Sequence, residues 1–321
     1  MNRDLLTSAV FLALFLFFVL FALFLIGGFF AFRNANHRRK RYPADRRGHG
    51  GRSPLPPTGQ ALLDESRVWF DFQTWETVSI RSEDALTLRG TVLSAEGNAR
   101  GVVLLFHGYH SSCRRDASVQ AKALHEAGYH LLLVSQRAHG DSEGHYICFG
   151  AKEKHDAALW CHFAEERFPA LPLVLMGISM GGATVLFAAE EKLPDSVSAI
   201  VADCPFTSPF EIIKRTLWHK HKLPPIPLIY FMNAWSSCLA GFSYRSVSVD
   251  HTLRRNQRPV LLIHGTHDTY VPASMSDQIA KNHHEHLQYL QVEGAKHCQA
   301  VYTAPELYFK TLFSFLEQTT K

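Results

Sequence analysis

The sequence predicts a doubly wound α/β domain behind an N-terminal membrane-spanning helix. Two observations carry the domain: short apolar, β-rich runs alternate with helical stretches, and the later runs are almost continuously hydrophobic, as parallel strands buried on both faces are. A third carries the helix: Leu5 to Phe32 contains no charged residue, more than the roughly 20 apolar residues that cross a hydrocarbon layer. The 321 residues, 46% apolar and 19% charged with 23 Phe, exclude a disordered chain, a collagen and a coiled coil. They suit one large domain with an appendage.

The first element is the span itself, over residues 1–33. A cleaved signal peptide fits poorly, because Asn2, Arg3 and Asp4 make a nearly neutral n-region and Phe32, Arg33 and Asn34 lack a small-residue cleavage site. Between Arg33 and Arg52 stand eight Lys/Arg against Asp45 alone, out of 33 basic and 29 acidic residues overall. Removing that stretch leaves 25 basic and 28 acidic residues, so the main domain is about neutral and nucleic-acid binding has no support. Basic residues flanking a span stay cytoplasmic, so a single-pass membrane protein with the domain that follows in the cytoplasm is expected. Gly48, Gly50, Gly51, Pro54, Pro56 and Pro57 make 34–60 a basic, flexible linker, with the folded domain over 61–321.

Strands are expected at Trp75 to Ile80, Leu86 to Leu93, Val102 to Phe106, His130 to Ser135, Leu173 to Met176, Ala199 to Ala202, Val260 to Ile263 and Leu287 to Val292. Helical patterns fill Ala117 to Ala127, Lys152 to Phe168, Gly181 to Lys192, Met275 to His283 and Pro305 to Leu316. From Phe206 to Gln257 the rhythm breaks into Pro- and aromatic-rich sequence, including Leu223-Pro224-Pro225-Ile226-Pro227. That interval reads as a cap insertion or as ordinary packing helices.

The chemistry concentrates at strand ends. Gly177-Ile178-Ser179-Met180-Gly181 lies between a strand and a helix, where a tight turn holds its serine out at the strand's C-terminal end with small residues on either side. A serine hydroxyl needs a base, and the base an orienting acid. Asp268 and His297 follow in that chain order, each in the loop after a strand. Asp203 also ends a strand and is an alternative acid. For the oxyanion of a tetrahedral intermediate, Met180 offers one backbone N–H and the loop His107-Gly108-Tyr109-His110 another, from Tyr109 or, failing that, His110. Nineteen His invite a metal, but pairs such as His219/His221 and His264/His267 form no HExxH and the six Cys form no CxxC. No metal site and no disulfide framework are expected. Cys298, beside the base, is an inert thiol or one open to oxidation.

From about Trp75 to Leu316 the chain resembles the α/β-hydrolase superfamily, in its serine aminopeptidase/monoacylglycerol-lipase-like branch. The resemblance rests on His107-Gly108-Tyr109, Gln136 to Gly144, the turn at 177 to 181, His264 to Asp268 and Lys296-His297, and it is similar in particular to membrane-anchored bacterial hydrolases of unassigned substrate. It implies an α/β-hydrolase fold with an eight-stranded mostly parallel sheet, helices on both faces, a small cap at 206–257, a Ser-His-Asp triad and no cofactor. The chain departs at Ser135-Gln136-Arg137-Ala138, where that branch usually carries an acid before an Arg-Gly pair. The expected activity is that of a serine esterase, carboxylesterase- or lipase-like, on a small-molecule or lipid-like ester. A peptidase or amidase of the aminopeptidase type is the alternative; it needs acids in the cap to hold an amino terminus, and Glu211 is the one acid between Phe206 and Val249. A catalytically silent membrane scaffold is the third.

Overall fold

The computed structural model describes residues 3–38, 54–283 and 285–320, with side chains from Thr7 onward. Eight strands form one sheet: β1 (Glu76–Arg81), β2 (Thr87–Leu93), β3 (Gly101–Phe106), β4 (Tyr129–Ser135), β5 (Leu173–Ile178), β6 (Val197–Asp203), β7 (Val260–Gly265) and β8 (Leu287–Val292). Their spatial order is β1-β2-β4-β3-β5-β6-β7-β8. The pairs β1/β2 and β2/β4 are antiparallel and every other pair is parallel. All eight predicted strands are present, displaced by at most two residues at either end.

Both faces of the inner strands are buried, which is why these strands read as unbroken apolar runs. Along β3, Val102, Leu104 and Phe106 join one core layer while Val103 and Leu105 join the other. Helices α5 (Glu153–Arg167), α6 (Met180–Ala188), α7 (Pro209–His219), α8 (Leu228–Trp235), α9 (Val249–Leu253) and α10 (Ser274–Asn282) supply the first layer. Helices α2 (Pro57–Phe72), α3 (Cys113–Asp116), α4 (Ser118–Glu126), α11 (Ala300–Thr303) and α12 (Pro305–Thr319) supply the second.

Several elements depart from expectation. Helix α6 stops at Ala188 rather than Lys192; Pro194 disfavours a helical conformation for the residue before it, and Glu191 turns to meet Lys154 at 2.8 Å. Helix α2 opens at Pro57, inside the stretch assigned to linker, and buries Leu63, Ser66 and Phe70, spaced three and four apart, against the domain. The apolar helix α1 (Arg3–Asn36) runs past Arg33. Its end enters the first layer, with Phe32 buried, Asn36 Nδ2 donating to the Ile147 carbonyl at 2.8 Å and Asn36 Oδ1 accepting from Tyr244 at 2.5 Å. Residues 39–53, which hold most of the basic cluster and the glycines of the linker, lie outside the described residues. Between β6 and β7 the chain forms α7, α8, a π turn (Ser236–Ala240) and α9, with no strand. In α7, Ser208 accepts from the amide of Glu211 and Pro209 begins the helix, the pairing expected of a helix start.

Candidate active site

The parallel part of the sheet brings the C-terminal ends of β5, β7 and β8 to one rim. Ser179 follows β5 with φ 56° and ψ −113°, a conformation held by its amide on the Asp203 carbonyl at 2.8 Å and by the Ala183 amide on its own carbonyl at 3.0 Å. Two glycines make the turn possible. A Cβ on Gly177 would stand 2.1 Å from the Gly181 carbonyl oxygen, and one on Gly181 would stand 2.1 Å from that of Phe106. The serine is thus fixed between the strand and the first turn of α6.

Ser179 Oγ lies 2.9 Å from His297 Nε2, and His297 Nδ1 lies 2.6 Å from Asp268 Oδ2. The other Asp268 oxygen accepts from the amides of Tyr270 and Val271, each at 2.9 Å. His264 Nε2 stands 3.3 Å from Oδ2. Burial acts to raise the Asp268 pKa, but hydrogen bonds from His264 and His297 outweigh it and hold the carboxyl down at about 2. The same contacts favour its ionised form. Burial pushes His297 toward neutrality; the charge of Cys298 and the hydrogen bond to Asp268 overcome it, and the imidazole holds its proton well above the ordinary histidine range.

Asp203 sits elsewhere. Its Oδ2 accepts from Tyr308 at 3.0 Å, and its Oδ1 is buried with no hydrogen-bond partner among the described residues. Burial, helped by the charge of Cys298, pushes its pKa up to about 7. Asp268, not Asp203, is the acid in contact with His297.

The oxyanion side is built from two elements. Met180 opens α6, so its N–H has no intrahelical acceptor. The loop after β3 is clamped: His107 O accepts from Gln136 Nε2 at 2.6 Å, and Gln136 Oε1 accepts from Thr184 of α6 at 3.0 Å. The amide of His110 is spent on His139 Nε2 at 3.1 Å. Tyr109, the expected donor, stands next to it in the same loop. The Tyr109 ring packs on Phe149 at 5.2 Å, and its hydroxyl donates to the Ala35 carbonyl of α1 at 2.6 Å. The departure at Ser135-Gln136-Arg137-Ala138 has a physical account here. Gln136 ties the oxyanion loop to the helix behind the nucleophile, and buried Arg137 pairs with Asp156 at 2.6 Å and Asp84 at 2.8 Å.

Sequence reasoning missed the partner of Cys298. Cys204 Sγ lies 3.5 Å from Cys298 Sγ. The hydrogen bond from Cys204, with the adjacent imidazole, pulls the Cys298 thiol down to about 6 in spite of its burial. Ligand atoms of Cys204, His297 and Cys298 lie within 4.8 Å of one another. Both ring nitrogens of His297 are already engaged, so an ion there would remove the base from the serine.

Fold and rim together define the class: the chain has the α/β-hydrolase fold. Residues 97–229 match the family described as serine aminopeptidase, S33. The chain is 26% identical over 193 residues to the uncharacterized protein YqkD of Bacillus subtilis, covering 60% of this chain and 63% of that one. It is 27% identical to the lysophosphatidylserine lipase ABHD12 of Danio rerio, covering 56% of this chain and 46% of that one. It thus spans less than two thirds of the length of either relative. Among solved structures, the Pyrococcus furiosus esterase Pf2001 superposes with a TM-score of 0.63 at 22% identity, over 84% of this chain and 97% of that one.

Proposed function

We propose that the chain is a membrane-anchored serine hydrolase of carboxylic esters, carboxylesterase- or lipase-like. The observation that carries this reading is the unbroken run of hydrogen bonds from Ser179 through His297 to Asp268. His297 Nε2 takes the hydroxyl proton as Ser179 Oγ attacks the ester carbonyl, while Asp268 orients the imidazole and stabilises its charged form. The amides of Met180 and Tyr109 receive the oxyanion, each donor contributing roughly 2.7–4 kcal/mol. His297 then returns the proton to the departing alcohol. Water, deprotonated by the same imidazole, attacks the acyl-serine, and the imidazolium returns that proton to Ser179 Oγ as the acid leaves.

Ester rather than amide chemistry is supported by the lipase among the relatives. It is also supported by the cap, 206–257, in which Glu211 sits on Lys214 at 3.5 Å rather than in an acidic pair that could receive an amino terminus. The peptidase reading is favoured only by the description of the matched family. In the same proposal α1 spans the membrane with the catalytic domain on the cytoplasmic side, and the substrate is a small or lipid-like ester. The test is a substrate panel on wild type and Ser179→Ala, paired with a fluorophosphonate probe. Ester turnover and labelling that both vanish in the variant are expected. A folded wild-type protein that takes no label overturns the proposal in favour of a silent scaffold, and turnover confined to aminopeptidase substrates overturns it in favour of the peptidase.

A further inference from the structure

Helix α8 lies along the last part of α1. The Phe231 ring packs on Phe21 at 5.4 Å and on Phe24 at 5.8 Å, and Trp235 packs on Phe29 at 5.2 Å while its Nε1 donates to the Leu25 carbonyl at 2.9 Å. The approach is close enough that a Cβ on Gly28 would stand 2.6 Å from Phe231 Cβ. A hydrocarbon layer takes about 20 helical residues. Counted forward from Leu5 that layer ends near Phe24, well before Phe32, which is already buried in the domain core. That edge falls on the stretch of α1 that α8 covers.

The chain just before and within α8 has the composition such a depth demands. Trp218, Leu223, Ile226 and Tyr230 are 54%, 43%, 57% and 48% exposed, and Lys220 and Lys222 stand exposed among them. Indole and phenol rings with lysines beside large aliphatic groups are the composition of a membrane interface, where the rings sit at head-group level and the ammonium groups meet anionic lipid. The same segment reaches the catalytic rim. Arg215, one turn before Trp218, donates to the carbonyls of Thr269 at 2.9 Å and Tyr270 at 3.3 Å, and the Tyr270 ring lies 5.0 Å from that of His297.

We infer that the segment from Trp218 to Tyr230 is a second membrane contact, seated in the head-group and upper acyl layer of the bilayer that α1 crosses, so that the catalytic rim faces lipid-borne esters. The inference rests on α1 being a span. Its occupant is a phospholipid bilayer carrying anionic head groups, matched by the two lysines and continuous with the surface of α1.

The full chain, reconstituted in phosphatidylcholine/phosphatidylglycerol vesicles, tests it. In a background carrying Cys238→Ser and Cys298→Ser, an environment-sensitive fluorophore is attached through Ile226→Cys or, as a control beyond the opposite end of β3, Glu96→Cys. A blue-shifted emission quenched by head-group-proximal spin-labelled lipid is expected at 226 and absent at 96. Protein that floats with the vesicles but keeps a water-like signal at 226 overturns the inference and leaves the span intact. Protein that fails to float overturns the span and the inference with it. A functional arm uses Trp218→Ala combined with Ile226→Asp. KM for an ester presented in vesicles rises at least about tenfold, the minimum that losing two apolar contacts implies, while kcat/KM for a short water-soluble ester stays within twofold. A parallel fall in both activities overturns the inference.

Discussion

At the residue scale the assignments separate by mutation. Ser179→Ala lowers kcat for esters by roughly 10³–10⁶-fold with unchanged circular dichroism. Asp268→Asn lowers it by about 10⁴-fold, since the imidazole loses its orienting anion. Asp203→Asn leaves kcat within about tenfold, because that carboxyl contacts Tyr308 rather than His297; kinetics showing the reverse order would reassign the acid. Cys298 makes a subtler claim. As a base His297 must be neutral, so activity is present above its folded pKa and lost as pH falls through it. The thiolate of Cys298 raises that pKa, so Cys298→Ser moves the ascending limb of the pH–kcat/KM profile to lower pH, read directly from the fitted midpoint. Ser179, Asp268 and His297 were legible because each sits in a turn whose residue pattern announces it. The Cys204–Cys298 contact was not, because 94 residues separate the two thiols and only the β6 and β8 strand ends, brought to one rim, reveal it.

At the element scale, strands were legible where burial on both faces left an uninterrupted apolar run, as in β3 and β5. Helix α2 escaped because its apolar face is narrow and the glycine- and proline-rich residues before it dominate the local composition. The fate of the α1 end was equally hidden, since Asn36 looks like a solvent-facing linker residue until Tyr244 and Ile147 are placed around it. Asn36→Leu takes the side-chain donor from the buried Ile147 carbonyl and the acceptor from the Tyr244 hydroxyl, at a cost of about 1–3 kcal/mol for a group left stranded. A lowered thermal midpoint in detergent checks it. An unchanged midpoint would mean that water replaces the amide and that the end of α1 is only loosely seated.

At the scale of the whole molecule, charge asymmetry and a long apolar helix predict an orientation before any fold is known, since the basic side of that helix leads into the folded domain. An exposed cysteine introduced as Glu96→Cys should resist a membrane-impermeant maleimide in intact cells and react after lysis; labelling without lysis would reverse the topology. The tie between Tyr109 and Ala35 reaches further than orientation. On the proposed reading, a carbonyl near the end of the membrane helix positions the ring whose backbone would receive the oxyanion, so root and reaction centre share one hydrogen bond. Cutting α1 away from the domain would, on that reading, remove the bond and loosen the ring.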